Sequence, residues 1–336
     1  MNVAILSNRK QDKACTIHDL PGYTGGYPGL GSLFGTFVEY CWHDVGAGKV
    51  KAATFQRFDL LWWEWSWAPV VAQAVLRVRE ACPGLKIIGF VGCADRWWEK
   101  THSRDYKAHL DAARASTAIG TFHRDEVQLY AAMFPGSKPF HCPTPVDVAW
   151  LEGFTEGVKA DKRKLLLGFH MNVTDDNRDT LAHVAVYEAV KAKHPTVEAH
   201  GFARHDTPQV VAALLAELGR PPVAIRNVMD MSTFVAFARD SWASVHVCRR
   251  MIQSQWSILA AALGIPHVSG TSGETQSYLW PSLTFKWFDI AGMAGAASRL
   301  FADDKWRQQA IERGHDLVPY YDLAQARERV RKAAGL

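Results

Sequence analysis

SQWSILAAALGIPHVSGTSGETQSYLWP, residues 254–281, is the stretch on which the reading of this chain turns. Three small residues, Ala260, Ala261 and Ala262, close a helical pattern that runs into Gly264-Ile265-Pro266, a short β-rich run and a Gly/Ser/Thr loop. Small side chains let a helix lie close against a sheet, and a helix N-terminus aims backbone N–H groups and a positive dipole at a phosphate. By itself the segment is either a tightly packed helix–strand turn or half of an anion site. Its surroundings decide between the two.

Working outward, β-rich runs alternate with helical periodicity through most of the 336 residues. Strands are expected at 2–8, 58–65, 86–93 and 116–122, with helices at 68–82, 105–115 and 125–134. The pattern breaks at KPFHCPTPVDVAWL (138–151), which carries three prolines, and at the polar run EGVKADKRK (156–164). It then resumes, with strands at 164–170, 196–202, 223–228, 241–247 and 266–270. Helices are expected between them at 179–192, 207–218, 232–238 and 254–263, and two more at the C-terminus. Alternation of this kind calls for crossover connections and parallel sheets covered on both faces. The expectation is α/β: two Rossmann-like domains facing each other across a cleft. Residues 1–150 form the first and 151–315 the second, with a C-terminal helix over 316–336 packing back on the first.

Composition sets limits. Hydrophobic residues at 48% and charged residues at 21% are globular values, and a net charge of +4 permits an anionic ligand without requiring one. The six cysteines are scattered without Cys-x-x-Cys pairs, which reads as reduced thiols in a cytoplasmic protein. The first residues are an apolar strand followed by charge rather than a signal peptide, and no run approaches a membrane span. No Asp-x-Asp pair or zinc spacing occurs, so neither metal nor cofactor is expected. The 13 tryptophans, clustered in LWWEWSW (61–67) and DRWWEK (95–100), are core, interface or ligand-stacking residues.

With these features in place, the chain resembles the GT-B glycosyltransferases. Many of them carry a donor-site helix reading roughly Glu-Ala-x-Ala-x-Gly-x-Pro, matched here by Leu259 through Pro266. The family's ribose-binding Glu falls on Leu259, and Gln253 or Gln255, about one turn earlier, is the candidate replacement. The segment PTPVDVAWL (143–151) is similar to the family's interdomain linker. The resemblance implies transfer of a sugar from a nucleotide-sugar, with a UDP-sugar expected, and a donor held by the second domain.

A donor pyrophosphate needs cations or backbone dipoles. Arg178, at the end of HMNVTDDNRDT (170–180) with Asn172, resembles the phosphate-binding loop of the T-even phage DNA glucosyltransferases. Arg204, Arg249 and Arg250 also follow expected strands, where open α/β sheets bind ligands. Ser254 opens the donor helix, and Val228, Met229 and Asp230 stand where the family places the base edge. In the first domain, Gly25 and Gly26 resemble the loop that approaches the transferred sugar and acceptor. Asp95, just past a strong strand, is the candidate general base, and a single carboxylate favours inverting transfer. Helix capping is its plain alternative. Glu64, Asp19, His18 and His123 are lesser base candidates.

Arg96, Trp97, Trp98, the Trp62–Trp67 cluster and the basic run Lys159–Lys164 suit a nucleic acid with an extruded base. Together with the phage resemblance they make a 5-hydroxymethylpyrimidine in duplex DNA, such as 5-hydroxymethylcytosine, the leading acceptor. The enzyme would then act in the cytoplasm of a phage host. A polysaccharide or small-molecule acceptor and a non-catalytic nucleotide- or glycan-binding protein are the other readings.

Overall fold

The computed structural model describes residues 2–7, 14–15, 37–64, 69–91, 103–168, 179–203, 208–227, 231–248, 255–270 and 273–336. They fall into two compact units, Met1–Pro145 with Leu323–Leu336, and Val146–Asp322.

Unit 1 contains strands β1 (Val3–Ser7), β2 (Ala14–Cys15) and β3 (Phe37–Cys41), then helix α1 (Trp42–Gly46). Strand β4 (Leu60–Glu64) and helix α2 (Pro69–Ala81) are followed by β5 (Lys86–Val91) and α3 (Ser103–Ala115). Strand β6 (Ala118–Thr121), helix α4 (Arg124–Met133) and strand β7 (Lys138–His141) complete the first pass of the chain. Unit 2 opens with helix α5 (Val148–Thr155), strand β8 (Asp161–Leu167), helix α6 (Thr180–Lys193) and strand β9 (Glu198–Ala203). Helix α7 (Pro208–Glu217), strand β10 (Ala224–Asn227), helix α8 (Met231–Ala238) and strand β11 (Ser241–His246) come next. Helix α9 (Gln255–Ala262), strand β12 (His267–Gly270), helix α10 (Glu274–Leu279) and strand β13 (Thr284–Phe285) lead to α11 (Ile290–Ala302) and α12 (Asp304–Leu317). The chain ends in α13 (Leu323–Ala334), within unit 1.

The first sheet is ordered β2-β3-β1-β4-β5-β6-β7 and the second β10-β9-β8-β11-β12-β13. Every pairing is parallel except β2 with β3. These are two doubly wound α/β sheets, as the alternation predicts.

Period-two alternation divides the core of unit 1. Leu61 and Trp63 face a cluster with Val71, Val75 and Val78 of α2, while Leu60 and Trp62 face one closed by α13. Helix α13 supplies Ala326, Val330, Ala333 and Ala334, one stripe of a 3.6-residue period on an otherwise charged helix. In unit 2, α5, α6, α11 and α12 each begin on an aspartate, Asp147, Asp179, Asp289 and Asp303, whose carboxylate accepts a backbone N–H of the first turn. Caps of this kind contribute about 1 kcal/mol apiece.

Several expectations need correction. Residues 138–141, read as linker, are strand β7. It is the sheet's outer strand, and Pro139 is tolerated there because an edge position need not donate on both sides. Residues 148–155 of the same segment form α5. Four helices, not two, follow the strand expected at 266–270 (α10 to α13), and residues 316–317 finish α12 rather than starting the last helix. Strand β3 was not anticipated.

Trp62 and Trp63, grouped with the stacking residues, are both fully buried. Trp62 lies nearly parallel to Phe90 at 5.6 Å, and Trp63 Nε1 donates to Ser116 Oγ at 2.9 Å. Gly89 makes room for the indole of Trp63: a Cβ there would stand 2.9 Å from its Cε2. These two rings are core, with no face left for a base or a sugar.

Candidate functional site

Strand order reverses between β8 and β11 in unit 2, with β9 and β10 beyond one and β12 and β13 beyond the other. Open α/β sheets bind ligands outside the carboxyl ends of strands at such a switch point. Strand β8 ends at Gly168, whose N–H donates to Val245 O at 2.7 Å. Its φ is +60°, and a Cβ would lie 2.8 Å from His183 Nε2. The space a larger residue would fill is occupied by the His183 ring.

His183 is four residues into the chain from Asp179, the N-cap of α6. Its Nε2 accepts the Val247 N–H at 2.8 Å. The proton therefore resides on Nδ1, which donates to Asp179 O at 2.6 Å. One neutral imidazole thus joins the ends of β8 and β11 to the first turn of α6. His246, at the end of β11, is 5.8 Å from the His183 ring and 6.1 Å from that of His267. His267 is fully buried and its Nδ1 is 2.9 Å from Ser244 Oγ. Burial pushes His267 down to about 3, so this layer under the strand ends carries no charge on His267 at neutral pH.

Helix α9 opens at Gln255, and all eight of its residues are buried. Gln255 is 8% exposed and its Nε2 has no hydrogen-bond partner. A buried amide without a partner costs about 1–3 kcal/mol and calls for an explanation. Leu259, one turn later, is core at 2% exposure, so the position of the expected ribose-binding Glu is a packing position here. The helix ends as the sequence predicts. Gly264 has φ +66°, Gly264 N–H donates to Ala261 O and Ile265 N–H to Ala260 O, the reciprocal closure that favours glycine. A buried chain of hydrogen bonds then fixes α9 to β12: Ser257 Oγ to Gln276 Oε1 at 2.7 Å and Gln276 Nε2 to His267 O at 2.9 Å.

Of the expected donor residues, Gln255 is the one the structure describes. Asn172, Arg178, Arg204, Val228, Met229, Asp230, Arg249, Arg250, Gln253 and Ser254 lie outside the described residues. Their segments share one property in the sequence: each follows directly on a strand of unit 2, namely β8, β9, β10 and β11. In unit 1, Asp95, Arg96, Trp97, Trp98, Gly25, Gly26, His18 and Asp19 likewise lie outside the described residues. His123 is buried at the start of α4. Glu64 ends β4; its Oε2 is sealed without a hydrogen-bond partner, and burial pushes the carboxyl up to about 8.

The basic run does not join this site. Lys162 pairs with Asp304 at 2.7 Å and Arg163 with Asp161 at 3.1 Å. Lys164 is buried, held by Asp240 and the Phe237 carbonyl. Lys162 and Arg163 stand at the start of β8, about 13–17 Å from its carboxyl end, and Lys164 is at the middle of the strand, about 10 Å from it. Among the described residues no group of three or more His, Cys, Asp or Glu is placed to hold a metal ion, and no helix is long and apolar enough to cross a membrane. Cys41, Cys82, Cys142 and Cys248 are buried, and among the described residues no disulfide joins them. Sequence reasoning passed over His183 because a histidine on a helical face reads as core. Its one signal is the i, i+4 spacing from a capping aspartate.

Two doubly wound sheets of these strand orders define the fold as that of the GT-B glycosyltransferases. No protein-family model and no curated protein matches the sequence. Solved structures do match. A trehalose-6-phosphate synthase, OtsA, superposes with TM-score 0.71 at 12% identity, covering 100% of this chain and 99% of that one. A structure of trehalose-6-phosphate from E. coli bound with UDP-2-fluoro glucose gives TM-score 0.68 at 10% identity over 100% and 99%. S. aureus TarM, in complex with Fondaparinux, alpha-GlcNAc-glycerol and UDP, gives TM-score 0.64 at 10% identity. The match covers 85% of this chain, which spans 58% of TarM. At these identities the likeness is one of fold.

Proposed function

We propose that this protein is a glycosyltransferase that takes a sugar from a UDP-sugar, held by unit 2, and passes it to a hydroxyl of a saccharide or small molecule. The observation that carries the reading is Gln255: a buried, unpartnered amide opening the helix next to the switch point of the unit 2 sheet. A ribose hydroxyl is the right partner for such an amide, since it can accept the N–H bond the fold leaves unmade. The segments carrying Asn172, Arg178, Arg204, Val228 to Asp230, Arg249, Arg250, Gln253 and Ser254 supply the remaining donor contacts, with arginines on the pyrophosphate and backbone on the base. Two of the neighbours named above were solved with UDP or a UDP-sugar analogue, which supports the choice of nucleotide.

For the acceptor, a saccharide or small molecule is favoured over DNA. The burial of Trp62 and Trp63 and the remote, paired state of Lys162, Arg163 and Lys164 remove much of the case for an extruded base. A hydroxymethylated pyrimidine remains the competing acceptor, through the sequence candidates Arg96, Trp97 and Trp98. The deciding experiment measures UDP and UDP-glucose binding by calorimetry, then UDP release with glucose, phosphorylated sugars, glycans and 5-hydroxymethylcytosine duplex. Binding with release on sugars is the expected result. Release on modified DNA alone would reassign the acceptor, and binding without any release would make the chain a nucleotide-binding protein.

A further inference from the structure

Seven large apolar side chains are exposed among the described residues, and four of them belong to one edge of unit 2: Leu181, Val210, Trp287 and Phe288. Leu181 is the second residue of α6, Val210 the third of α7, and Trp287-Phe288 lies between β13 and α11. Each of these helices begins beyond the carboxyl end of a strand, so all four side chains stand at the same edge of the parallel sheet. They also share a face. The steps from β8 to β9 and from β9 to β10 run in one direction across the sheet, so right-handed crossovers put α6 and α7 on the same side. Helix α11 packs against α6 and so lies on that side too. With neighbouring helices about 10 Å apart, the row is on the order of 20 Å long.

The helix turns behind the row carry no charge. Residues 180–187, 208–216 and 290–298 contain no Asp, Glu, Lys or Arg, and their one histidine, His183, is buried. Charge returns at Glu188, Glu217 and Arg299, towards the amino edge. Flanking the row in the described residues are Lys286, which is exposed, and the capping carboxylates of Asp179 and Asp289. Those two accept the Ala182 and Gly292 N–H groups at 3.0 and 2.9 Å and sit on the positive ends of their helices. The turn that carries the aromatic pair is tied down. Asp289 N–H donates to Lys286 O at 2.9 Å, and a Cβ on Gly270 would lie 2.7 Å from Trp287 Cα. The two rings meet edge to face at 5.5 Å, with Lys286 Nζ 5.8 Å from the centre of Phe288.

Trp287 is 38% exposed, Leu181 44%, Val210 50% and Phe288 61%. Together they leave about 300–400 Å² of apolar surface in water. That is about half of the ~800 Å² per partner that a stable dimer needs, so a second copy is the poorer occupant. A lipid surface needs no matching relief. It takes Trp and Phe at the depth of the headgroups, while a neighbouring Lys reaches the phosphates. We propose that this edge of unit 2 seats the protein on a membrane surface, with Phe288 and Trp287 as anchors and Leu181 and Val210 beside them. The proposal stands apart from the transferase reading, because lipid binding needs no donor.

The test is flotation of the full chain with vesicles, either phosphatidylcholine alone or an equal mixture with phosphatidylglycerol, at low and high salt. Wild-type protein should float with both, and more strongly with the mixture at low salt, where Lys286 adds an attraction that salt screens. The double variant Leu181→Ser with Phe288→Ser should lower the lipid partition coefficient by about ten-fold or more. Phe288→Trp should keep it, and Leu129→Ser, at a similarly exposed leucine of unit 1, should leave it unchanged. Phe288 lies outside every core cluster, so Phe288→Ser alone gives the same test should the pair melt early. Absence of flotation with either vesicle, full binding by the double variant, or an equal loss in Leu129→Ser would each overturn the proposal. Binding to the mixture alone that high salt abolishes would replace insertion by surface charge. A dimer in sedimentation velocity that the double variant dissolves would make the row an interface between copies, and the membrane assignment would fall.

Discussion

Glu64 makes a prediction that needs no substrate. The folded protein holds its proton up to about pH 8, while the unfolded chain releases it near the ordinary value of 4.5. Between those two values the native state binds a proton that the unfolded state lacks, so stability is highest below about 4.5 and falls as pH rises through about 8. At about 1.4 kcal/mol per pH unit, the full displacement corresponds to an upper bound of about 5 kcal/mol. Partial contact with water screens the charge, and about 2–3 kcal/mol is the realistic loss. Glu64→Gln keeps the shape and cannot ionise. Urea unfolding of both proteins, followed by tryptophan fluorescence at intervals from about pH 5 to 9, should show equal midpoints at the acid end. At the alkaline end the variant should be the more stable by that amount. Parallel curves for the two proteins across the whole range would refute the reasoning, because the carboxyl would then not be held protonated by the fold.

Other predictions concern unit 2. Gly168→Ala places a Cβ 2.8 Å from His183 Nε2 at a φ of +60°, and should cost about 1–3 kcal/mol in thermal or urea unfolding. His183→Ala opens a cavity and leaves the Val247 N–H without its acceptor, for a loss of about 3 kcal/mol and a ten-fold weaker grip on UDP. His183→Gln, which can still accept and donate, should recover part of both; no recovery would mean that packing alone matters. Gln255→Leu should stabilise the fold by about 1 kcal/mol, because the unpaired amide disappears, and weaken UDP binding by about ten-fold. Loss of stability without loss of binding would count against Gln255 as a donor contact.

The double α/β architecture was legible because its buried parallel strands are apolar runs: NVAILS, LLWW, KIIGFV and KLLLG announce themselves between helical periods. The edges were not. Strand β7 reads KPFH, and a proline within a four-residue run argues for a linker until one knows that the strand is the last in its sheet. Strand β3 reads FVEYC, with a glutamate in the middle that is 1% exposed in the fold and suggests solvent in the sequence. Helix α13 buries only small residues among five charged ones, a stripe too thin to show which surface it covers. At the sites, the strand-end rule led to segments that follow strands of unit 2, while nothing in the sequence set Glu64 apart. Its distinction is burial, which belongs to the assembled sheet and not to the residue.

On the proposed reading, Leu259 and Gln255 are a departure from the resembled pattern and its local compensation. A glutamate at 259 would have to ionise at a position 2% exposed, packed within the core of unit 2, where an unpaired charge costs several kcal/mol. On the proposed reading Gln255, on the same face one turn nearer the helix start, meets the ribose with a neutral amide instead. It gives up the strength of a charged hydrogen bond and avoids that desolvation. Leu259→Glu, the substitution that restores the family residue, should therefore lower the urea midpoint sharply and fail to tighten UDP binding. Should that variant instead fold normally and bind UDP more tightly than wild type, the pocket must extend to position 259. The assignment of the donor ribose to Gln255 would then have to be withdrawn.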